Sequence, residues 1–479
     1  MAKAKSWGLP VPNPCISFWQ QTTRSFPYLH ANQDEPVPSE AEYAIIGSGI
    51  SGALTAFTLL ESGVSPRDVV ILEAREAASG ASSRNAGHVR PDAFRGFAPY
   101  SRLHGPEQAL KILDNERRVF KTVDAFVKKH NVPCDFNPTT TFDVCLTQEF
   151  ADFLSHSFAE YRDAGGDVSG IKVYAAEEAR QRTGVKKALG AYEWEAGSSH
   201  PAKLAQWLLR SCVERGVEMF THCPVISISE AHEQHRRRLE TSRGTLGAKT
   251  VIHCTNAHAA HLLPQLAPFM TPNRAQAHAI VPPAELSGTK LPKSTMSLRH
   301  GLKHFYSVAP RPSDGIIILG SSRANPNLSQ QTMDGVVSAD DSKGYDLEIR
   351  DDAVSEFWNA MLDSKSSPSK NKVNGVNGSD ADVRKPILSH GEGLLHAWTG
   401  IIGMTADSCP FIGQVPGAEG QWVCAGFNGH GMARIFTCAP GLVHLIRGGD
   451  WSGTGLPECF EMTENRLEKL RKLGSNGPL

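Results

Sequence analysis

The feature that most constrains the fold is the glycine-spaced turn in YAIIGSGISG, which lies between an apolar run and a helical pattern. Gly47 allows a tight turn, Gly49 lets a pyrophosphate approach the backbone, and Gly52 lets the following helix pack close to the strand. The run VVILEA then predicts a second strand that ends at Glu73. Strand, turn, helix and strand together predict a βαβ unit that binds a dinucleotide.

Glu73 lies 21 residues after Gly52, where a carboxylate can accept hydrogen bonds from ribose hydroxyls. The same negative charge would repel a 2′-phosphate. We therefore expect the nucleotide to contact the turn and the end of the second strand, through Gly47, Ser48, Gly49, Ile50, Ser51, Gly52, Glu73, Ala74 and Arg75.

The next loop, AASGASSRNAGH, indicates which dinucleotide is bound. A nicotinamide enzyme rarely continues in this way, whereas the flavin half of FAD needs a second binding segment. Small hydrogen-bonding side chains and one arginine, which could meet phosphate charge, follow each other here. The loop therefore favours FAD, held by Ser82, Ser83, Arg84, Asn85, Ala86, Gly87 and His88.

The bulk composition excludes several classes of protein. The chain has 479 residues, long enough for two domains, and a formal net charge of -1, which gives no reason to expect a nucleic acid or an acidic membrane as partner. Its 10 cysteines include no Cys-x-x-Cys pair, so we expect neither a disulfide scaffold nor a metal site. No apolar run reaches the length of a bilayer span, which predicts a soluble, cytoplasmic protein.

The later patterns predict an α/β fold in which a Rossmann-like FAD-binding domain is interleaved with an antiparallel-sheet substrate-binding cap. Helices are expected over 106–130 and 149–164, and the runs QAHAIVPP, KHFYSVAP and GIIILG predict strands of the cap. The predicted division has an N-terminal arm over 1–40, an FAD-binding domain from 41–100, 196–262 and 386–479, a mostly cap domain from 101–195 and 263–362, and a flexible insertion over 363–385.

Three separated motifs, IIGSGISG, LEAREAASGASSRNAGH and GFNGHGM, resemble the D-amino-acid-oxidase-like (DAO) superfamily of FAD-dependent oxidoreductases. GASSRNAGH and CTNAH are similar to its γ-glutamylputrescine-oxidase and sarcosine-oxidase branch, and LPVPNPCISFWQ to fungal members. The resemblance implies that the turn from Gly429 to Met432 opens the last helix, facing the flavin. It implies further cofactor contacts at Val225, Thr255, Asn256, Gly403, Gly426, Asn428, Gly429, His430, Gly431 and Met432.

The same resemblance implies the chemistry. The flavin would accept a hydride at N5 from the carbon next to nitrogen in an amine or N-substituted amino acid, giving an imine, and O2 or another acceptor would re-oxidise it. Candidates for orientation and proton handling are Tyr306, His430, Trp398, Arg323 and His88, with His304, Gln276 and His278 as further cap candidates; a core or surface role stays open for each. A substrate carboxylate could pair with Arg84, Arg90 or Arg323.

Two departures from the sarcosine-oxidase pattern qualify the resemblance. Gly400 aligns where covalent members carry a cysteine, so we expect non-covalent FAD, although His88 remains a possible attachment point. Ile318 aligns where the branch has an oxygen-activating lysine, which leaves oxidase and dehydrogenase behaviour both open. Two alternatives remain: a natural-product tailoring flavoenzyme that oxidises a bulky metabolite, and a flavin-binding protein without catalysis.

Overall fold

The computed structural model describes residues 7–230, 237–321, 325–362 and 388–473. The helices in these ranges are α1 Phe18–Gln21, α2 Ile50–Glu61, α3 Phe97–His104, α4 Pro106–His130, α5 Gln148–Asp163, α6 Ala176–Thr183, α7 Pro201–Val213, α8 Ala259–Leu262, α9 Gln330–Asp334, α10 Leu347–Met361, α11 Ile435–Ile446 and α12 Glu464–Leu473. The strands are β1 Glu40–Ile46, β2 Val69–Leu72, β3 His88–Val89, β4 Asn137–Cys145, β5 Lys172–Ala175, β6 Gly190–Ser198, β7 Glu218–Phe220, β8 Val225–Glu230, β9 Arg237–Thr241, β10 Gly244–His253, β11 Met270–Val281, β12 Thr295–Arg299, β13 Phe305–Pro310, β14 Ile317–Gly320, β15 Gly393–Thr405, β16 Phe411–Gln414 and β17 Gln421–Ala425.

The first sheet has the strand order β16-β17-β10-β1-β2-β7, and β8 and β9 extend from β10. Strands β17, β10, β1, β2 and β7 run parallel. Ile45 and Ile71 face a layer of α2, α7 and α11, while Ile46 and Leu72 pack under the β8–β9 hairpin. Burial on both faces explains why these strands read as continuous apolar runs.

The second sheet has the order β15-β11-β14-β13-β12-β4-β6-β3, with β5 on β6. It is antiparallel except for the pair of β12 and β4. One face is covered by α10, whose Phe357 packs with Tyr306 and Val308 of β13. The opposite face carries Ala309 and Ile318, which pack against the N-terminal arm.

The structure confirms the predicted fold class, because the chain alternates between two sheets and forms the expected strands of the second one. Strand β15 pairs along its length with β11 of the second sheet, although we placed it in the C-terminal part of the FAD-binding domain. Strand β9 pairs with both β8 and β10 and so completes a hairpin between them. The domain division itself stays a prediction, and the insertion over 363–385 lies outside the described residues.

No helix among the described residues is both long and apolar enough to cross a membrane.

Three histidines are buried within the framework. His200 lies before α7, where its Nδ1 accepts a hydrogen bond from the Lys203 backbone N–H; His253 ends β10 and His278 lies in β11. Burial lowers the pKa of His200 to about 3 and the pKa values of His253 and His278 to about 4 each. All three rings are therefore neutral in the folded chain at neutral pH.

These shifts predict that acid destabilises the fold. The unfolded chain takes up protons near pH 6.5, whereas the folded chain resists until about pH 4, so stability is present above pH 6.5 and is lost as the pH falls through this window. Each histidine should remove up to about 1.4 kcal/mol of unfolding free energy per pH unit. Urea unfolding at pH 7 and pH 5 measures the loss.

The variant His253→Gln should show a shallower pH dependence than the native chain, by the uptake of about one proton. His156→Gln, at an exposed position of α5, is the matched control for replacing a histidine by glutamine. Equal slopes for His253→Gln and the native chain would contradict the prediction.

Candidate functional site

The glycine turn has the tight geometry that its spacing predicts. Gly47 has a φ of +105°, and a Cβ there would lie 2.7 Å from the Cys254 carbonyl oxygen. A Cβ on Gly52 would lie 1.9 Å from the Gly47 carbonyl oxygen. Any side chain at these positions would push β1, β10 and α2 apart, so glycine is required for the packing of the unit.

Glu73 is held directly beside the turn. One carboxylate oxygen accepts hydrogen bonds from the Ser48 backbone N–H at 3.0 Å and from the Ser48 hydroxyl at 2.7 Å. The other accepts from the Arg75 backbone N–H at 2.9 Å. The carboxylate is therefore fixed where the ribose of a dinucleotide is expected.

The second loop packs onto the start of α2. The Ser82 hydroxyl accepts a hydrogen bond from the Ile50 backbone N–H at 2.8 Å. Asn85 keeps the loop folded, because its side-chain oxygen accepts from the Gly87 N–H at 2.8 Å. The two glycine-rich segments that we assigned to one cofactor are thus in contact.

Arg84 contacts carbonyl groups of the protein, although we expected it to meet a phosphate or a substrate carboxylate. Its Nε donates to the Ser79 carbonyl at 2.7 Å, and its terminal nitrogens donate to the carbonyls of Thr399 at 3.0 Å and Cys15 at 2.6 Å. The side chain is only 1% exposed and also lies 3.5 Å from Asp341. These carbonyl groups take up three of its five N–H donors, so in this structure Arg84 holds the loop in place.

Tyr306 also lies away from its expected place. Its hydroxyl donates to Asp352 of α10 and accepts from the Asn325 side chain, and the ring packs beneath that helix. Ser307 lies on the opposite face of β13, next to Gly320, and Gly320 approaches Ala86 of the loop. Since successive residues of a strand point to opposite faces, Tyr306 faces away from the loop.

The further cap candidates, Gln276, His278 and His304, lie on the same face of the sheet as Tyr306, the face that α10 covers. Gln276 and His278 alternate with Ala277 and Ala279, which face the arm and Trp398. The Gln276 side chain contacts His278 at 2.9 Å and the Asp346 backbone at 2.6 Å. His304 contacts the Tyr306 hydroxyl at 3.2 Å.

Trp398, Gly400 and Ile318 lie on the loop side of the sheet. The Trp398 indole N–H donates to the Arg84 carbonyl at 2.8 Å, so this fully buried side chain supports the loop from below. A Cβ on Gly400 would lie 2.8 Å from the Arg84 Cβ, which leaves no room for a cysteine. Ile318 and Ala86 line a cavity of about 260 Å³, together with Trp19, Asp135, Phe136, Asn137, Ser198, Ser199, Ala309, Arg311, Pro312 and Ser313.

Asn256 joins the closing turn to the end of β10. Its side-chain oxygen accepts from the backbone N–H groups of Gly426 at 3.0 Å and Phe427 at 3.2 Å. The Asn428 side-chain oxygen accepts from the Thr405 N–H at 2.7 Å. A Cβ on Gly403 would lie 3.0 Å from the Asn256 oxygen, so these segments meet as one closely packed unit.

Helix α11, which we expected to be the last helix, begins later than predicted and is followed by α12. Residues Gly431–Ala433 form a 3-10 turn, and α11 starts only at Ile435. His430, just before this turn, has its Nδ1 3.2 Å from the Glu116 carboxylate, which also accepts from Arg434 at 2.8 Å. Burial alone would raise the pKa of Glu116, but His430 and Arg434 hold it at about 2.

Several predicted cofactor residues carry buried polar atoms without a hydrogen-bond partner among the described residues. They are both ring nitrogens of His88, the Thr255 hydroxyl and the neighbouring Ser79 hydroxyl. Burial, with a smaller effect of Arg90, lowers the pKa of His88 to about 3, so the ring is neutral. Buried polar atoms normally have partners, and the polar groups of FAD would supply them here.

The remaining predicted residues are placed as follows. Val225 begins β8 and is buried in the same apolar cluster as Ile46, and Arg75 forms an ion pair with Asp341 at 2.9 Å. Arg323 lies outside the described residues.

The comparisons with known proteins agree with this arrangement. A family model described as DAO, FAD dependent oxidoreductase, matches residues 42–445, and the chain belongs to this family. The chain is 22% identical over 438 residues to the probable oxidoreductase OrdL of Haemophilus influenzae, with 90% of both chains covered. It is 22% identical over 469 residues to mitochondrial sarcosine dehydrogenase of Mus musculus, with 92% of this chain and 45% of that one covered. Glycine oxidase from Geobacillus kaustophilus has a similar structure, with a TM-score of 0.63, 18% identity, and 89% of this chain and 99% of that chain covered.

The chain is therefore an FAD-dependent oxidoreductase, and the resemblance seen in its motifs is confirmed. The residues present fit FAD, because the glycine turn, Glu73 and the unpartnered atoms of Ser79, His88 and Thr255 offer contacts that the protein leaves open. The individual contacts with FAD stay predictions.

Sequence reasoning missed a buried cluster in which three arginines surround Asp143. Its carboxylate accepts from Arg90 at 2.9 Å, from Arg95 at 3.0 Å and from Arg299 at 2.5 Å. Burial alone would raise the pKa of Asp143, but the arginines hold it far below its usual value. Only Arg90, beside the flavin loop, had a signal in the sequence. Arg95 lies five residues further along without a motif of its own, and Asp143 and Arg299 lie 53 and 209 residues further along.

The hydrogen bonds of Glu73 predict a role in FAD affinity. Glu73→Gln should raise the dissociation constant of FAD by about 10- to 100-fold, because charge-assisted hydrogen bonds contribute about 1.5–3 kcal/mol each. Titration of the apoprotein, followed by quenching of flavin fluorescence, measures the constant. Glu76→Gln is the matched control, since Glu76 pairs with Arg24 at 2.6 Å rather than with the turn. Equal affinities of Glu73→Gln and the native chain would contradict the assignment.

Gly400 has no thiol, and its contact with Arg84 leaves no room for one, so we predict that FAD is bound non-covalently. Acid precipitation of the purified protein should release the flavin into the supernatant, where its absorption spectrum is recorded. Yellow colour that stays in the pellet would contradict this and point to attachment at His88 or elsewhere.

Proposed function

We propose that this protein oxidises the C–N bond of an N-substituted amino acid to an imine, with the substrate carboxylate bound at Arg90. FAD, when bound, supplies the two-electron acceptor for the hydride. The observation that carries the proposal is an excess of positive charge in the buried network beside the flavin loop.

The charges in this network do not balance. Arg90, Arg95 and Arg299 surround Asp143, and Asp92 pairs with Arg95 at 2.8 Å. The adjoining pair of Arg434 and Glu116 is neutral by itself. Three arginines and two aspartates therefore leave one positive charge, and an unpaired buried charge is costly. A substrate carboxylate would neutralise it.

Arg90 is the best placed of these arginines to meet a substrate. Its side chain is 11% exposed, against 7% for Arg95 and 3% for Arg299. Arg90 lies two residues after His88 in the chain. Its guanidinium carbon lies 4.8 Å from the centroid of the Trp194 ring. Its Nε donates to the Thr141 hydroxyl at 2.7 Å, which fixes the orientation of the guanidinium.

His88 and His430 are suited to act on the amine end. The neutral ring of His88 can accept or donate a proton in a hydrogen bond, and both of its nitrogens lack partners among the described residues. His430 is 24% exposed and oriented by Glu116. A relative named for sarcosine, which is a secondary amine bearing a carboxylate, supports this substrate class.

Steady-state turnover with an artificial electron acceptor, which gives KM, and anaerobic stopped-flow reduction of the flavin together test the proposal. The purified holoprotein is mixed with N-methyl amino acids and with matched amines that lack the carboxylate, and the loss of the flavin absorption band is followed. Arg90→Gln should raise the KM for the amino acids by about 10- to 100-fold, because a charge-assisted pair is lost. The KM for the matched amines, which lack the carboxylate, should rise less. This difference distinguishes a loss of carboxylate binding from a general disturbance of the active site.

Arg90→Lys keeps the charge but loses the two-pronged geometry, so its KM should lie between those of the native chain and Arg90→Gln. Arg117→Gln is the control, since Arg117 pairs with the exposed Asp167. Equal KM increases for both substrate types would overturn the role of Arg90. Reduction only by a bulky metabolite would favour a tailoring flavoenzyme, and no reduction by any amine would overturn the proposed reaction.

A further inference from the structure

Three potential metal ligands meet away from the flavin loop. His104 ends α3, Cys409 lies in the loop before β16, and Cys459 lies in the 3-10 turn Glu458–Phe460. The Cys409 Sγ is 3.3 Å from the His104 Nε2 and 3.8 Å from the Cys459 Sγ. All three ligand atoms lie within 4.8 Å of one another.

Two of the three separations match the edges of a tetrahedral zinc site, and the third, between the Cys459 Sγ and the His104 Nε2, is at most 4.8 Å. Zinc binds cysteine sulfur at about 2.3 Å and histidine nitrogen at about 2.0–2.1 Å. Tetrahedral angles then place two sulfurs about 3.8 Å apart, and sulfur and nitrogen about 3.5 Å apart. The observed distances of 3.8 and 3.3 Å differ from these by a few tenths of an ångström at most.

The surroundings leave these three side chains available to a metal. The Asp407 carboxylate accepts hydrogen bonds from Arg466 at 2.9 and 3.0 Å. Cys409 is fully buried, whereas Cys459 is only half-buried and gives an ion a path to the site. The His104 Nε2 lies 2.8 Å from the Asp407 carbonyl oxygen, so metal binding would replace this hydrogen bond.

We propose that His104, Cys409 and Cys459 bind one zinc ion, with water as the fourth ligand. The two thiols lose their protons, so the two thiolates balance the charge of Zn²⁺, and the imidazole binds through a deprotonated nitrogen. The ion links the end of α3, the loop before β16 and the C-terminal segment. It therefore stabilises the structure without taking part in the flavin reaction.

The ligands belong to three segments, and 50 and 305 residues separate Cys409 from Cys459 and His104. The absence of a Cys-x-x-Cys pair, from which we expected no metal site, therefore does not bear on this cluster.

Metal analysis of the holoprotein tests the proposal. The protein is treated with a chelator, incubated with zinc chloride and desalted, and zinc is measured by plasma mass spectrometry. About one zinc per chain is expected, together with a higher melting temperature in the presence of zinc, because the ion binds the folded chain. Cys459→Ser and His104→Ala should each weaken zinc binding by at least about tenfold and abolish the zinc-dependent rise in melting temperature.

Cys145→Ser is the matched control, since Cys145 ends β4 and is not part of the cluster. A measurement on the native chain guards against variants that fail to fold: zinc should slow the alkylation of Cys459 by iodoacetamide, as read by peptide mass spectrometry. No bound zinc after desalting, equal zinc content in all variants, or a Cys409–Cys459 disulfide in protein purified without reductant would each overturn the proposal.

Discussion

The buried guanidinium of Arg84 is the interaction on which the rest of the site depends. It donates to carbonyl groups of the arm, of the flavin loop and of β15, at Cys15, Ser79 and Thr399. A buried charge is tolerated only when it is hydrogen-bonded, and these three carbonyls satisfy donors of the guanidinium. Each segment is thus held by the same ion, which fixes the second sheet against the loop expected to hold the flavin.

The alternation of residues in the second sheet separates structural from functional side chains. Tyr306 and Val308 face α10 and fill an apolar core. Ser307 faces the loop, and the neighbouring strands carry Asp143 and Arg299 on that same side. Because a strand has a period of two, one residue of difference decides whether a side chain supports the cap or faces the site.

Much of the fold was predictable because its signals are local. The glycine turn and the apolar runs of the parallel strands depend on residues close together in the chain, and the helix over 106–130 was predicted with its ends in place. The pairing of β15 with β11 was not predictable, because neither segment contains a sequence pattern that identifies the strand it pairs with. The role of Tyr306 was not predictable for the same reason. Whether its side chain is in the core or at the site depends on which face of the sheet α10 covers.

By itself, the sequence determined the dinucleotide-binding unit, since steric demands at Gly47 and Gly52 allow few alternatives. The second loop indicated FAD, and the resemblance of three motifs indicated the family. Only the tertiary structure decided which charged groups are paired and which are left over. It assigned Arg84 to the framework and gathered the arginines around Asp143. The physical reason is that the free energy of a buried charge depends on every group that surrounds it, and those groups come from distant parts of the chain.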